Sequence, residues 1–428
     1  MDDHEDPGED EDPGEDEEDD EEAEAEEQLP RKKCQREDYM DLDPAERCKR
    51  CRFDYLLDRL ESGKVYKDDR VQVLYHKGAQ FTPQAIGVFS QPMQSLQLGL
   101  RSTRKHAASS DSAEQGYTPG YFKAYPYPYP PRVHTLDQGS PAELQELQYT
   151  YEAILDIIPG LKDNLNLFME DPTALMVLGN YLDGWMRSAR SDDIGALKQR
   201  IISHIPKLAE YPILDPKDPK WERGFVNITT GRLLCPQSKL EDFKQGPNDF
   251  CRQVRDGKIE ILSDDFPCFL YDQDEYDPEE LDAGLLKGPL LLACFKSLFT
   301  GPRTAKNSAT GKEKGPGRPL LTKIYKLSRV SPRHIAHVAV IVHFILTSQD
   351  KWSTLDGNFH GEKFFNAILN LFDDDPAWAK ETIEWWDREV YGMTSYGDDT
   401  AAGTSRVSGT ISRLAAQRAA RARRSDAP

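Results

Sequence analysis

The 428-residue chain lacks any run of 18 consecutive apolar residues, so its sequence predicts no transmembrane helix. Its N-terminus also lacks the basic and then apolar segments of a secretory signal peptide. We therefore expect an intracellular protein, nuclear or cytoplasmic, that does not bind membranes. In that setting its seven cysteines are expected to be reduced thiols rather than a disulfide framework.

Positive charge is absent from the first 27 residues, which hold nineteen Asp and Glu and repeat the hexapeptide EDPGED. Such a composition cannot bury enough apolar surface to fold, so we expect residues 1–30 to be a disordered acidic tail. This tail supplies most of the formal net charge of −20, and the remaining chain is close to neutral. We interpret the acidic tail as a solubilising or masking arm.

Two stretches carry unbalanced positive charge on that near-neutral remainder. Residues 301–333 hold nine Lys and Arg against one Glu, and residues 401–428 hold six Arg against one Asp. We call residues 301–320 the basic loop and residues 396–428 the Arg-rich tail. Clustered cations of this kind bind phosphates or acidic protein surfaces, although a solvated loop or a nuclear-import signal would look similar. The candidate contact residues are Lys312, Lys314, Arg318, Lys323, Arg421, Arg423 and Arg424.

Strand patterns are scarce, and the best of them is the short stretch 71–75. In contrast, Asp-Pro or Ser-Pro occurs at positions 43, 140, 171, 277, 331 and 375, each time before apolar residues at helical spacing. The Asp or Ser side chain can cap a helix, and Pro at its first position gives up no needed donor. We therefore predict a mainly α protein, a multi-helix orthogonal or bundle-like domain with disordered charged termini.

The composition divides the rest of the chain into four parts. Residues 31–101 are an N-terminal helical segment, and residues 102–139 are a linker rich in Ser, Pro and Tyr. Residues 140–395 form the main α-helical domain, which contains the basic loop, and residues 396–428 are the Arg-rich tail. Within the main domain, a helix should run from Asp277 past Leu298 with a kink or split at Pro289. The helix after Ser331 is apolar nearly all round, so it should be central.

Five segments occur in a fixed order: RGFVNITTGRLLCP, FPCFLYD, LDAGLLKGPLLLACFKSLFTGP, SRVSPRHIAHVAVIVHFILTSQDKW and DGNFHGEKFFNAILNLF. Over about residues 140–392 this pattern resembles an uncharacterised domain family that is widespread in mushroom-forming basidiomycete fungi. The resemblance implies a fungal intracellular protein. It implies no activity and no site residues, and it leaves out both charged tails.

Cys48 and Cys51 have the spacing of a zinc or redox motif, but no second pair of ligands at standard spacing accompanies them. On a helix that begins after Asp43, Cys48, Cys51 and Tyr55 share a face. We therefore favour a small packed stripe over a metal or redox site. His334 and His337 are one turn apart and His343 points elsewhere, so three ligands do not converge and a structural role is favoured.

Carboxylates are dense over residues 264–282, and paired carboxylates can bind Mg²⁺ for phosphoryl chemistry. Asp272, Asp274 and Asp277 are the weak metal candidates of this run. The plainer interpretation places the charges around a helix N-terminus, where the dipole stabilises them. The sequence therefore favours a non-enzymatic interaction protein without cofactor, whose partner is nucleic acid or an acidic protein. The alternative is a divalent-metal-dependent phosphohydrolase or nuclease that uses the carboxylates of 264–282.

Overall fold

The computed structural model describes residues 39, 41–109, 141–301, 325 and 327–392. Within them, short 3₁₀ turns and one hairpin of two strands join fourteen α-helices, which confirms the mainly α prediction. None of these helices is both long and apolar enough to cross a membrane. The helices are α1 (Pro44–Glu61), α2 (Arg70–Ala85), α3 (Pro92–Ser109), α4 (Pro141–Ile157), α5 (Leu165–Glu170), α6 (Pro172–Lys198), α7 (Ile201–His204), α8 (Ile228–Leu234), α9 (Leu240–Gln245), α10 (Pro247–Arg255), α11 (Pro289–Phe299), α12 (Pro332–Leu346), α13 (Gly361–Asp374) and α14 (Pro376–Tyr391). Strands β1 (Leu355–Asp356) and β2 (Phe359–His360) pair antiparallel.

Five of the six predicted helix starts are confirmed. Asp43, Asp171 and Asp375 each accept hydrogen bonds from backbone amides at the start of α1, α6 and α14, with Pro at the first turn. Ser331 caps α12 through a reciprocal pair of contacts with His334. Helix α4 begins at the predicted proline, Pro141. Caps of this kind contribute about 1 kcal/mol each, so they fix where the chain enters a helix.

The helix predicted from Asp277 past Leu298 is wrong before Pro289 and confirmed after it, where α11 contains Leu290 to Leu298. Asp277 Oδ1 accepts the Glu279 amide at 2.9 Å and closes a turn instead of a helix. Downstream, Gly284 and Leu286 have φ of 70° and 59°, a left-handed conformation that interrupts a right-handed helix. Pro289 therefore does not kink a helix; it occupies the first turn of α11.

Residues 71–75, which carry the best of the scarce strand patterns, lie in helix α2. Asp69 accepts the Gln72 amide at 3.0 Å and starts the helix. Gln72 and Tyr75 are buried, while Val71 and Leu74 are partly exposed, which is a helical rather than an alternating pattern. Five residues are too few to distinguish the strand repeat of two from the helical repeat of 3.6, and packing against neighbouring helices favours the helix.

Helix α6 is the longest, and its 27 residues span about 40 Å. Helices α1, α2 and α3 pack along it, and α4 packs on α2 and α3. Their shared core includes Phe53, Leu60, Tyr75, Leu178 and Leu182, all nearly inaccessible to solvent. Full burial of each such side chain stabilises the fold by roughly 1.5–3 kcal/mol. Helices from both sides of the predicted linker thus share one core, and the domain boundaries themselves stay a prediction.

Helix α12 lies at the centre of the second and larger core, as its all-round apolar sequence predicted. All fifteen of its residues are buried. It contacts α2, α6, α8, α11 and α13, so it joins the helices before residue 110 to those after residue 141. A helix in this position can expose no polar group to water, which makes the partners of its four polar side chains informative.

Candidate functional site

The seven predicted contact residues all lie outside the described residues. The structure describes where the chain leaves and re-enters the helical body on either side of them. Gly301 is the first residue of the basic loop, Val330 follows the loop, and Gly392 precedes the Arg-rich tail. The seven residues themselves are Lys312, Lys314, Arg318, Lys323, Arg421, Arg423 and Arg424.

The last turns of α11 and α14 are joined by an ion pair. Lys296 Nζ lies 3.4 Å from Glu389 Oε2, and Lys296 is buried. Near this ion pair, the rings of Phe295 in α11 and Trp386 in α14 pack with centroids 4.9 Å apart. Gly301 comes five residues after Lys296, and Gly392 comes three residues after Glu389. The basic loop and the Arg-rich tail therefore start from adjoining helix ends.

The chain that returns from the basic loop is fastened to the same helix. The Val330 amide donates to Asp387 Oδ1 at 2.7 Å, and Asp387 is buried. Burial raises the pKa of Asp387 to about 6, and the Val330 N–H opposes that rise. Earlier on the return path, Tyr325 stacks on Phe81 and donates to the Lys77 carbonyl. The final turns of α14 thus contact Lys296 before the basic loop and Val330 after it, and the described chain ends just beyond these turns at Gly392. We call these turns the α14 anchor.

The acidic run of 264–282 forms turns rather than a helix N-terminus. Asp272 Oδ1 accepts the Asp274 amide at 3.0 Å, just as Asp277 accepts the Glu279 amide. Glu275 pairs with Lys287 at 3.2 Å. Within the described part of the chain, no group of three or more His, Cys, Asp or Glu is arranged to hold a metal ion. The metal hypothesis stays a prediction, and the visible role of these carboxylates is to cap turns.

A buried polar cluster connects three helices of the body. Asp193 of α6 accepts from Gln84 Nε2 of α2 at 2.9 and 3.1 Å, one contact to each carboxylate oxygen. His337 Nε2 of α12 lies 3.0 Å from Asp193 Oδ2. All three residues are buried, and a carboxylate can only accept, so the histidine donates. The cluster fastens α2, α6 and α12 together. Sequence reasoning missed Asp193, because its neighbours Ser191 and Asp192 make the segment look exposed.

A second polar contact lies one turn before His337. The Arg333 guanidinium makes two parallel bonds to the Glu146 carboxylate, at 2.8 and 2.7 Å, and donates to the Ile86 carbonyl at 2.6 Å. It also stacks over the Tyr149 ring at 3.8 Å. Arginine suits such a site because its planar fork matches a carboxylate. Arg333 belongs to the basic stretch in sequence, yet it is committed to holding α4 and α2 on α12.

The three histidines of α12 have separate partners, as the sequence predicted. His334 Nδ1 accepts the Ser331 amide at 3.2 Å, and burial lowers the pKa of His334 to about 3. His343 stacks on Phe359 with centroids 3.7 Å apart, and burial likewise lowers its pKa to about 3. Both rings are therefore neutral at physiological pH. These contacts make them structural residues rather than joint ligands.

A small cavity lies beside the C-terminal end of α12. Its lining includes His343, Phe344, Trp352 and Asp356, and its volume of about 20 Å³ leaves room for about one water molecule. Next to it, the buried Lys220 ammonium sits over the Phe344 ring at 4.1 Å and donates to the Gln349 carbonyl. Burial, followed by the charge of nearby Arg223, lowers the pKa of Lys220 to about 8. Arg223 donates to the Ile345 carbonyl in the last turn of α12, so it caps the end of the central helix, whereas the Gln349 carbonyl that Lys220 contacts lies just beyond that end.

The cysteines differ from the sequence expectations in two ways. Cys51 is disulfide-bonded, so the expectation that all seven thiols are reduced is wrong. Cys48 is exposed, so the predicted packed stripe of Cys48, Cys51 and Tyr55 is wrong as well. The buried face of α1 carries Phe53, Leu56 and Leu60 instead. Burying these larger apolar side chains stabilises the fold more than burying the cysteines would, so they determine which face of α1 points to the core.

Comparison with known proteins adds a family and no activity. No curated protein and no solved structure matches the chain. A family model matches a region that begins inside α6 and ends with α14, so this region includes the central helix and the α14 anchor. The resemblance described from the sequence begins earlier, and its residues 140–184 lie outside the match. Residues 185–391 of this chain match the model of a family whose description is Family of unknown function (DUF6698).

Proposed function

We propose that this protein is a non-enzymatic interaction protein whose basic loop and Arg-rich tail contact nucleic acid or an acidic protein surface. The observation that carries the proposal is the α14 anchor. Two stretches of unbalanced positive charge, distant in sequence, start from helix ends that the Lys296–Glu389 ion pair joins. Two basic segments tethered at one place can bind the same polyanion, because binding of one segment raises the effective concentration of the polyanion for the other.

The polar interior supports the same proposal. Asp193, Arg333 and Lys220 all have contacts within the body. The cavity beside α12 has a volume of about 20 Å³, and a second cavity, lined by Tyr211 and Arg232 among others, has a volume of about 40 Å³. A catalytic site needs a pocket in which the reacting groups of a substrate can meet such side chains. The charge outside the described body is therefore the better candidate for function.

The acidic tail fits this proposal as a masking arm. Its nineteen carboxylates exceed the cations of the basic loop and the Arg-rich tail in number, so the tail can compete with an external polyanion for them. The proposal also includes an intracellular location, nuclear or cytoplasmic, and an origin in the basidiomycete fungi whose sequences this chain resembles. Deleting residues 1–27 should strengthen polyanion binding, and unchanged affinity would reject the masking role.

The test is a binding titration of the full chain against labelled duplex and single-stranded nucleic acid at about 50 and about 200 mM salt, with an acidic peptide as a third probe. Phosphate contacts predict affinity that falls steeply with salt. A loop variant should lose roughly tenfold or more in affinity, as should a tail variant with Arg421, Arg423 and Arg424 replaced by Glu. The loop variant is Lys312→Glu, Lys314→Glu, Arg318→Glu and Lys323→Glu together.

A matched control reverses the same number of charges elsewhere on the body. The control replaces four lysines that are exposed on the described surface. Because it also exchanges four cations for Glu, it changes the net charge by the same amount as the loop variant. The control should bind within roughly twofold of the unmodified chain. Equal losses in both quadruple variants would show a net-charge effect and refute the proposed contact residues, and absence of salt-sensitive binding to every probe would refute the function. The control is Lys207→Glu, Lys217→Glu, Lys244→Glu and Lys258→Glu together.

The alternative, a divalent-metal phosphohydrolase built on the carboxylates of 264–282, has less support. Asp272 and Asp277 already accept backbone amides, and Glu275 pairs with Lys287. Bound Mg²⁺ would have to replace those contacts. Calorimetric titration with Mg²⁺ and Mn²⁺ separates the two functions, because the interaction protein predicts no saturable heat and the metalloenzyme requires it.

A further inference from the structure

Three of the free thiols gather in a small core of their own. Cys235, Cys251 and Cys268 are each at most 3 % exposed, and they pack with Phe243 and Phe250 apart from the two larger cores. We call this group the satellite core. It lies where the residues after α8 meet the residues before α11. Neither the fold nor the proposed function uses the sulfur chemistry of these three residues.

The backbone sets two of the three thiols opposite each other. Pro236 and Pro267 form an isolated antiparallel bridge, flanked by the Gln237 amide bonding to Phe266 and the Cys268 amide bonding to the Cys235 carbonyl, both at 2.9 Å. Cys235 and Cys268 are thus the next pair along this short ladder. Directly opposed residues at a hydrogen-bonded position have Cα atoms about 5.5 Å apart. That separation lies within the range of about 4.4–6.8 Å in which a disulfide can form.

The side chains of this pair also meet. Opposed residues of an antiparallel pair project to the same face. The Cys235 thiol donates to the Pro236 carbonyl at 3.4 Å, and the neighbouring Cys268, followed by burial, raises the pKa of the Cys235 thiol. Cys251 reaches the satellite core from α10, and its Sγ lies 2.8 Å from the position that a Cβ on Gly231 would take. It therefore packs over α8 and is not in register with the other two.

We propose that Cys235 and Cys268 are an oxidisable dithiol that hydrogen peroxide converts to a disulfide. One sulfur attacks a peroxide oxygen, the O–O bond breaks, and a sulfenic acid and water result. The second sulfur then attacks the sulfenic sulfur, the S–O bond breaks, and a second water leaves as the S–S bond forms. Two thiols are oxidised and one peroxide is reduced to two waters, so the reaction is balanced.

The disulfide would close a loop that contains α9 and α10. It would tie the satellite core across its bridge and limit how far the segment between the two cysteines can unfold. Because both sulfurs are buried, the reaction depends on brief openings of the satellite core and should be slower than oxidation of the exposed Cys48. The thermal midpoint of the oxidised protein should rise by several degrees and return after treatment with dithiothreitol.

The test treats the native full-length chain with hydrogen peroxide, alkylates remaining thiols in denaturant, and maps non-reduced peptides by mass spectrometry. We expect a linked peptide pair joining Cys235 to Cys268, in the unmodified chain and in Cys251→Ser alike. Cys235→Ser and Cys268→Ser should each abolish that link. The Cys251→Ser arm does not alter the pair itself, so it keeps the test valid if either of the other variants folds poorly.

Three outcomes would overturn the proposal. A link from Cys251 to either partner would show that the bridge register does not select the reactive pair. Full alkylation of Cys235 and Cys268 after Cys48 has been completely oxidised would show that the pair is inert. A Cys235–Cys268 link that forms only after unfolding in denaturant would show that the native geometry does not promote it.

Discussion

Replacing Asp193 should destabilise the fold more than replacing any exposed acid of the same helix. Its carboxylate accepts from Gln84 on α2 and from His337 on α12, and all three groups are buried. A hydrogen bond to a charged group contributes about 1.5–3 kcal/mol. Removing one partner of a buried charged cluster costs about 3–5 kcal/mol, because the groups left behind cannot reach water. We expect Asp193→Ala to lower the free energy of unfolding by about 3–5 kcal/mol.

Two further variants separate charge from packing. Asp193→Asn keeps one oxygen that can accept the Gln84 amide, but it presents an NH₂ group to His337, so a smaller loss of about 1–3 kcal/mol is expected. Asp192→Ala is the matched control, because Asp192 is adjacent in α6 and exposed. Its effect should stay within about 0.5 kcal/mol.

The assay is urea unfolding followed by tryptophan fluorescence and by circular dichroism, with coincident transitions as the check that unfolding is two-state. The free energies of the three variants should rank in the order Asp192→Ala, Asp193→Asn, Asp193→Ala. If Asp193→Ala were no more destabilising than Asp192→Ala, the buried cluster would not fasten α2 and α12 to α6. A changed denaturant slope in Asp193→Ala would instead mean that one layer of helices unfolds separately.

Two other predictions concern pH and close packing. Because burial raises the pKa of Asp387 to about 6 in the folded state, wild-type stability should fall as pH rises from about 4 to about 6. Asp387→Asn, which can still accept the Val330 amide, should lack that fall, as thermal midpoints at pH 4 and 7 would reveal. In α3, Gly99→Ala should cost about 1–3 kcal/mol in urea unfolding, since a Cβ there would lie 2.1 Å from the Tyr151 ring. Gly184→Ala in α6, with nothing within 4 Å, should be neutral or stabilising by up to about 1 kcal/mol.

The helix starts could be predicted because their cause is local. At Asp43, Asp171 and Asp375, an N-cap side chain and the following proline begin a helix in which apolar residues repeat at helical spacing. Asp277 has the same two residues and makes a turn instead. The difference lies some residues on, where Leu286 adopts a left-handed conformation that no sequence pattern indicates.

The polar interior could be predicted only in part. His337 stood out as a polar residue in an apolar helix, and a buried polar group must have a partner. Which partner it has depends on how α6 and α12 cross, so Asp193 could not be found from spacing along either helix. Lys220 and Arg223 were missed for the same reason: the Gln349 and Ile345 carbonyls that accept from them lie more than a hundred residues away in the sequence.

The contacts of the α14 anchor are the reason for proposing that the two basic stretches act together. The ion pair between Lys296 and Glu389 joins the helix end before the basic loop to the helix end before the Arg-rich tail. The hydrogen bond from the Val330 amide to Asp387 holds the chain after the loop on the same helix. Within the described body, the side chains of Asp193 and Arg333 have partners on other helices and hold those helices together. The two stretches of unbalanced positive charge adjoin this anchor in the sequence. The described helical body therefore brings the flanks of the two basic segments together, which is the arrangement that the proposed binding of polyanions requires.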